Sequence, residues 1–76
     1  MDDRVVELQA AEALVLFELL HRWEDEERDL HLLPGEQPAL RALSAALERV
    51  VHESFDPRYA ELLQQARLKL HERYGA

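Results

Sequence analysis

The chain has 76 residues, contains no cysteine and carries a formal net charge of −7. This length supports one small domain with a marginal core, and the lack of cysteine excludes disulfides and thiolate zinc sites. The charge is uneven, because residues 1–38 hold 11 acids and 3 bases whereas residues 39–76 hold 5 acids and 6 bases. Since a negative field repels phosphate groups, we expect no nucleic acid and no membrane among the partners.

The N-terminal residues give two expectations. The chain opens Met-Asp-Asp-Arg, unlike a signal peptide, and its longest apolar run, residues 13–17, is too short to span a bilayer, so we expect a cytoplasmic protein. Residues 4–8 have the composition of a short strand. Residues 29–33 offer a second strand that pairs with it or a packed loop, and these two alternatives stay open.

Helix 1 is predicted over residues 9–27, with Glu12 as the capping-box acid behind Gln9. This helix is apolar nearly all round, so it must be buried on more than one side. It is either the central helix of the monomer, with Leu19 in the core, or half of a homodimer that forms at micromolar concentration. The third alternative is that the apolar surface of helix 1 forms a groove that binds a different protein. The residues predicted for a dimer interface are Val15, Leu19 and Trp23.

Two further helices follow a turn predicted at Pro34 and Gly35. Helix 2 is predicted over residues 36–54 and helix 3 over residues 57–74, where Asp56 is the N-cap and Gly75 suits the end. The predicted apolar face of helix 2 holds Leu40, Leu43, Leu47, Val50 and Val51, and that of helix 3 holds Tyr59, Leu62, Leu63, Ala66, Leu70 and Tyr74, with Leu68 exposed. The predicted fold class is all-α, one three-helix domain over residues 1–76.

Two Glu–His pairs are the main candidates for site chemistry. Glu18 and His21 stand three residues apart, and Glu48 and His52 stand four apart. Di-iron bundles use the first spacing twice, together with further glutamates, so a single occurrence indicates ordinary pairing on a helix surface. Because the sequence also lacks a Gly-x-Ser-x-Gly elbow and a glycine-rich phosphate loop, we expect no catalytic residues, no cofactor and no metal.

The densest charged feature is residues 24–29, with five acids and one base near the predicted end of helix 1. Acids at a helix C-terminus oppose the partial negative charge there. The cluster is either a solvated group that keeps the protein soluble or a docking patch for a basic protein, with Trp23 as a neighbouring aromatic anchor. The predicted protein-binding residues are Trp23, Glu24, Asp25, Glu26, Glu27 and Asp29.

Residues 12–20, EALVLFELL, and residues 55–63, FDPRYAELL, with Ala66 and Arg67 after them, resemble a type of short bacterial protein of unassigned function. The resemblance covers most of the chain and implies a fold, without an activity or site residues. In size, acidity and helicity the chain is also similar, as a class, to immunity proteins and other small inhibitors of basic enzymes.

We therefore expect a non-enzymatic bacterial module that docks a basic protein in an immunity- or antitoxin-like role. The alternative is a structural or regulatory homodimer that pairs through helix 1, and a metal-binding bundle ranks third.

Overall fold

The structure, a computed structural model, describes residues 2–25 and 31–76. It contains α1 (Ala10–Asp25), α2 (Glu36–Val50) and α3 (Tyr59–Tyr74), with one 3-10 turn, Glu53–Phe55, between the last two helices. The prediction of an all-α, three-helix fold is confirmed. Within the described ranges, no helix is long and apolar enough to cross a membrane.

The predicted strand pair is not seen in the part of the chain that the structure describes. Residues 4–8 and 31–33 have no regular secondary structure, and residues 29 and 30 lie outside the described residues. Val5 and Val6 are 92% and 78% exposed, so no helix covers the predicted first strand. An isolated two-stranded pair is marginal in water without such support, which explains why strand-like composition alone does not produce one here.

The start of α1 follows the predicted capping pattern. The backbone N–H of Gln9 donates to Glu12 Oε1 at 2.8 Å, and the backbone N–H of Ala13 donates to the Gln9 carbonyl at 2.9 Å. Gln9 therefore flanks the helix, which begins at Ala10, one residue later than predicted. At the other end α1 is described as far as Asp25, and the predicted residues 26 and 27 lie outside the described residues.

The core is built around α1. This helix packs against both α2 and α3, whereas the described parts of α2 and α3 make few direct contacts with each other. The buried apolar residues are Leu14, Phe17 and Leu20 of α1, Leu47 of α2, Val51 after it, and Leu63 and Ala66 of α3. The apolar surface of α1 is thus largely used within the monomer, where α1 is the central helix.

Helix α2 ends at Val50, four residues before the predicted end. Val51 is extended, with φ −88° and ψ 100°, although its N–H still donates to the Leu47 carbonyl at 2.9 Å. The extended backbone buries the Val51 side chain in the core, and β-branched residues favour helix less than extended structure. The predicted apolar face is also only partly buried, because Leu43 and Val50 are exposed and Ser44 is buried instead.

Helix α3 begins at Tyr59, two residues later than predicted. The backbone N–H of Arg58 donates to Asp56 Oδ1 at 2.8 Å, and the N–H of Tyr59 donates to the Asp56 carbonyl at 3.0 Å. Asp56 therefore satisfies a free N–H as an N-cap does, but through a turn that precedes the helix. At the other end Gly75 adopts φ 75°, and its N–H donates to the His71 carbonyl at 2.7 Å, as a C-terminal glycine is expected to do.

Leu68, which the pattern places outside the apolar face of α3, is confirmed as exposed, with 51% of its surface accessible. Tyr74, which the pattern assigns to the apolar face, is 65% exposed. It occupies the last position of α3, beyond the stretch from Tyr59 to Ala66 that packs against the core.

We predict that Asp56→Ala lowers the free energy of unfolding by about 1 kcal/mol, the usual cost of losing a helix cap. Urea unfolding followed by circular dichroism measures this loss, which is large beside a total stability of about 5 kcal/mol. Asp56→Asn is the matched control, because the amide oxygen can still accept from the Arg58 N–H and most of the stability should remain. Equal stability of the alanine variant and the wild type would show that this hydrogen bond does not hold the start of α3.

Candidate functional site

The three residues predicted for a dimer interface share one stripe of α1. Val15, Leu19 and Trp23 are spaced by four residues and lie on the side of the helix opposite Phe17. Val15 is half-buried and packs against the core, Trp23 is half-buried, and Leu19 is 45% exposed. The expectation that a monomer would hold Leu19 in its core is therefore wrong, because α2 and α3 cover the other side of α1.

The side chain of Trp23 contains a buried hydrogen-bond donor that has no acceptor among the described residues. This donor is the indole Nε1. A buried donor without a partner costs about 1–3 kcal/mol, and a buried indole N–H usually finds an acceptor. The described part of the chain therefore supplies no polar contact to the indole N–H of Trp23.

The predicted acidic docking patch is described only in part. Glu24 and Asp25 are exposed in the last turn of α1, while Glu26, Glu27 and Asp29 lie outside the described residues. Acids in the last turn of a helix oppose its partial negative charge, at a cost of a few tenths of a kcal/mol each. We call Trp23, Glu24 and Asp25 the acidic end of α1.

His21 joins α1 to α2, a contact that the sequence did not reveal. Its Nε2 lies 3.3 Å from Glu48 Oε1, and its Nδ1 lies 3.1 Å from the Phe17 carbonyl oxygen. Carbonyl and carboxylate oxygens only accept hydrogen bonds, so both contacts are hydrogen bonds together only when both ring nitrogens carry a proton.

Tyr59 joins α3 to α1 through a second polar contact. Its hydroxyl donates to Glu18 Oε2 at 2.6 Å, across 41 positions of the sequence. Burial of the phenol raises the pKa of Tyr59 well above its ordinary value, and the hydrogen bond to Glu18 and the charge of Glu18 raise the pKa further, while Arg67 lowers it. Glu18 and His21 therefore each bond to a different helix, rather than forming the local pair that their spacing suggested.

These contacts border an open depression of about 420 Å³ between α1 and the start of α3. We call it the α1–α3 depression. Ser54, its only serine, donates to the Val51 carbonyl at 3.4 Å, and His21 is occupied as described above. The described residues also contain no group of three or more side chains placed to hold a metal ion. The residues that line the depression are Phe17, Glu18, His21, Arg22, Asp25, Ser54 and Tyr59.

The lining of the α1–α3 depression combines the carboxylates of Glu18 and Asp25 with the cation Arg22 and with Tyr59. Carboxylates and aromatic rings both attract organic cations. Sequence reasoning missed this arrangement because Tyr59 was assigned to an apolar face and Glu18 to a local pair with His21. The spacing of Glu18 and Asp25, seven residues, was the one available signal that the two acids share a face.

No protein-family model, curated protein or solved structure matches the chain. The function is therefore inferred from the geometry and charge of these residues.

The raised pKa of Tyr59 gives a prediction in alkaline solution. In a Tyr74→Phe background, where Tyr59 is the only phenol, the native protein should ionise at higher pH than the same chain unfolded in urea. Because the folded-state pKa is raised, the stabilisation is fully present below about pH 10, the unfolded value, and is lost as the pH rises through the folded value. Ultraviolet absorbance of the phenolate measures the ionisation. Coincident native and unfolded titrations would contradict the Tyr59–Glu18 hydrogen bond.

Proposed function

We propose that this protein is a non-enzymatic binding module whose acidic end of α1 docks a basic surface on another protein. The observation that carries the proposal is the exposure of Glu24 and Asp25 in the last described turn of α1. A sequence shaped only for stability would place Lys or Arg in the last turn of a helix. The two exposed acids therefore support an interaction outside the chain.

The charge of the whole chain supports the same partner. The first half holds 11 acids and 3 bases, so the field around α1 is negative and steers a basic surface toward it. Trp23 precedes the two exposed acids, and an aromatic residue flanked by charge is a common composition of binding hot spots. An immunity- or antitoxin-like role, in which a small acidic protein neutralises a basic enzyme, is the most concrete form of this function.

The source and location belong to the same proposal. The resemblance of residues 12–20 and 55–63 to short bacterial proteins supports a bacterial origin, and the proposal includes a cytoplasmic location. The bonds already made by His21 and Ser54 support binding over catalysis in the α1–α3 depression.

We predict that replacing Glu24, Asp25, Glu26 and Glu27 with Gln slows association with the basic partner at least about tenfold at low salt. The partner is first isolated from the host by affinity capture, and association is then followed by stopped-flow at several salt concentrations. The difference should shrink as the Debye length falls below about 8 Å. Trp23→Ala should act mainly on the dissociation rate, since it removes an anchor rather than a charge.

The control variant loses the same number of charges elsewhere. It carries the exposed-site changes Asp2→Asn, Asp3→Asn, Glu7→Gln and Glu72→Gln. This variant should slow association much less, because the lost charges lie away from the acidic end of α1. If the association rate of the captured partner changes neither with the Gln replacements nor with the salt concentration, this docking role is ruled out.

A homodimer that pairs through α1 is the second candidate function, and the exposure of Leu19 favours it. Leu19 lies between Val15 and Trp23 on their common stripe, so a second copy could cover all three. Sedimentation velocity at micromolar concentration separates the two functions. A stable dimer without any partner favours pairing through α1, and a monomer favours docking to another protein.

A further inference from the structure

We infer that the α1–α3 depression receives an arginine side chain of the docked protein. This inference rests on the proposed function, because it names the group of the basic partner that enters next to the acidic end of α1. Asp25 belongs to both places: it is part of the acidic end and it lines the depression.

The Glu18 carboxylate is placed for a guanidinium group, and Asp25 adds a second acid farther along the same depression. Glu18 and Asp25 are seven residues apart on α1, two turns or roughly 10 Å along the helix axis, and both line the α1–α3 depression. Glu18 is half-buried, whereas Asp25 is exposed. A guanidinium forms charge-assisted hydrogen bonds with a planar carboxylate, and partial burial of Glu18 strengthens such a bond because water screens it less.

Glu18 is held ready for this contact. The hydroxyl of Tyr59 donates to its Oε2 at 2.6 Å, which fixes the carboxylate, and no described residue donates a hydrogen bond to its Oε1. The free oxygen therefore lies in a carboxylate that is already positioned. Tyr59 also lines the depression, and a planar guanidinium packs favourably against an aromatic ring.

The shape of the depression favours a projecting side chain over a free small molecule. Its volume of about 420 Å³ lies near the lower end of ligand pockets, which span about 300–1,000 Å³ and enclose most of their ligand. This depression is open to solvent, so a small ligand would remain largely exposed. An arginine that is anchored on a protein surface does not need to be enclosed, because the rest of the interface holds it.

Among the described residues, no basic side chain forms an ion pair with Glu18 or Asp25. Arg22 lines the same depression, and Arg67 lies close enough to lower the pKa of Tyr59, but the ion pairs of this part of the chain join His21 to Glu48 and Arg58 to Asp56. Within the described ranges, the Glu18 carboxylate is therefore available to a cation from a partner.

The test uses a hexa-arginine peptide as the probe and a peptide of the same length in which citrulline, the neutral isostere, replaces arginine. Isothermal titration calorimetry at low salt measures binding to the full chain. We expect the arginine peptide to bind and the citrulline peptide not to bind. Glu18→Gln, which keeps an oxygen that can accept from Tyr59, should weaken binding about tenfold or more, equivalent to one charge-assisted hydrogen bond. Glu72→Gln, an equal charge change at the far end of α3, should weaken it less than about twofold.

A second measurement does not depend on any variant. Titration of the isotope-labelled wild type with the arginine peptide should shift the amide resonances of Glu18, Ser54 and Tyr59 more than those of α3 beyond residue 66. If the arginine peptide binds but Glu18→Gln has no more effect than Glu72→Gln, and these resonances do not move, then the depression is not the arginine site and docking at the acidic end stands. If the arginine peptide does not bind the wild type at all, the inference and the proposed function are both overturned.

Discussion

The whole fold depends on the burial of one face of α1 between α2 and α3. Leu14, Phe17 and Leu20 form this face, and each buried side chain of this size contributes about 1.5–3 kcal/mol. Because α2 and α3 have few direct contacts with each other, each is held in place mainly by α1. A domain with so few buried residues has a small free energy of unfolding. Helix α1 is the element against which the other two helices pack.

The same helix also carries the candidate functional residues. Along the axis of α1, Phe17 faces the core and Leu19 lies on the side that neither α2 nor α3 covers. Glu18 and Asp25 lie between these two sides, next to the start of α3. The polar contacts of Glu18 with Tyr59 and of His21 with Glu48 fix α1 against both neighbours close to the acidic end. A partner docked at that end, as proposed, would meet a helix whose position is already determined by the core, and such preorganisation lowers the cost of association.

Periodicity predicted the elements that depend on local signals. Three helices, the capping contact of Glu12, the end at Gly75 and the exposure of Leu68 all follow from spacing along the chain. Contacts between distant positions have no such signal: the pairing of Tyr59 with Glu18 spans 41 positions, and that of His21 with Glu48 joins two helices. Val51 leaves α2 because burial in the core outweighs the continuing helical pattern, and residues 4–8 show the opposite case, in which strand-like composition lacks a surface to pack on.

Native-state hydrogen exchange, measured by NMR, tests most directly whether α1 is the element that holds the other two. The amides of residues 17–20 lie in the middle of α1 beneath both packing partners, so they should be among the slowest to exchange and should do so only through global unfolding. The outer turns of α2 and α3 should exchange earlier through local opening. A state in which α2 and α3 remain protected while the centre of α1 has already exchanged would contradict this account, because neither helix could then depend on α1 for its place.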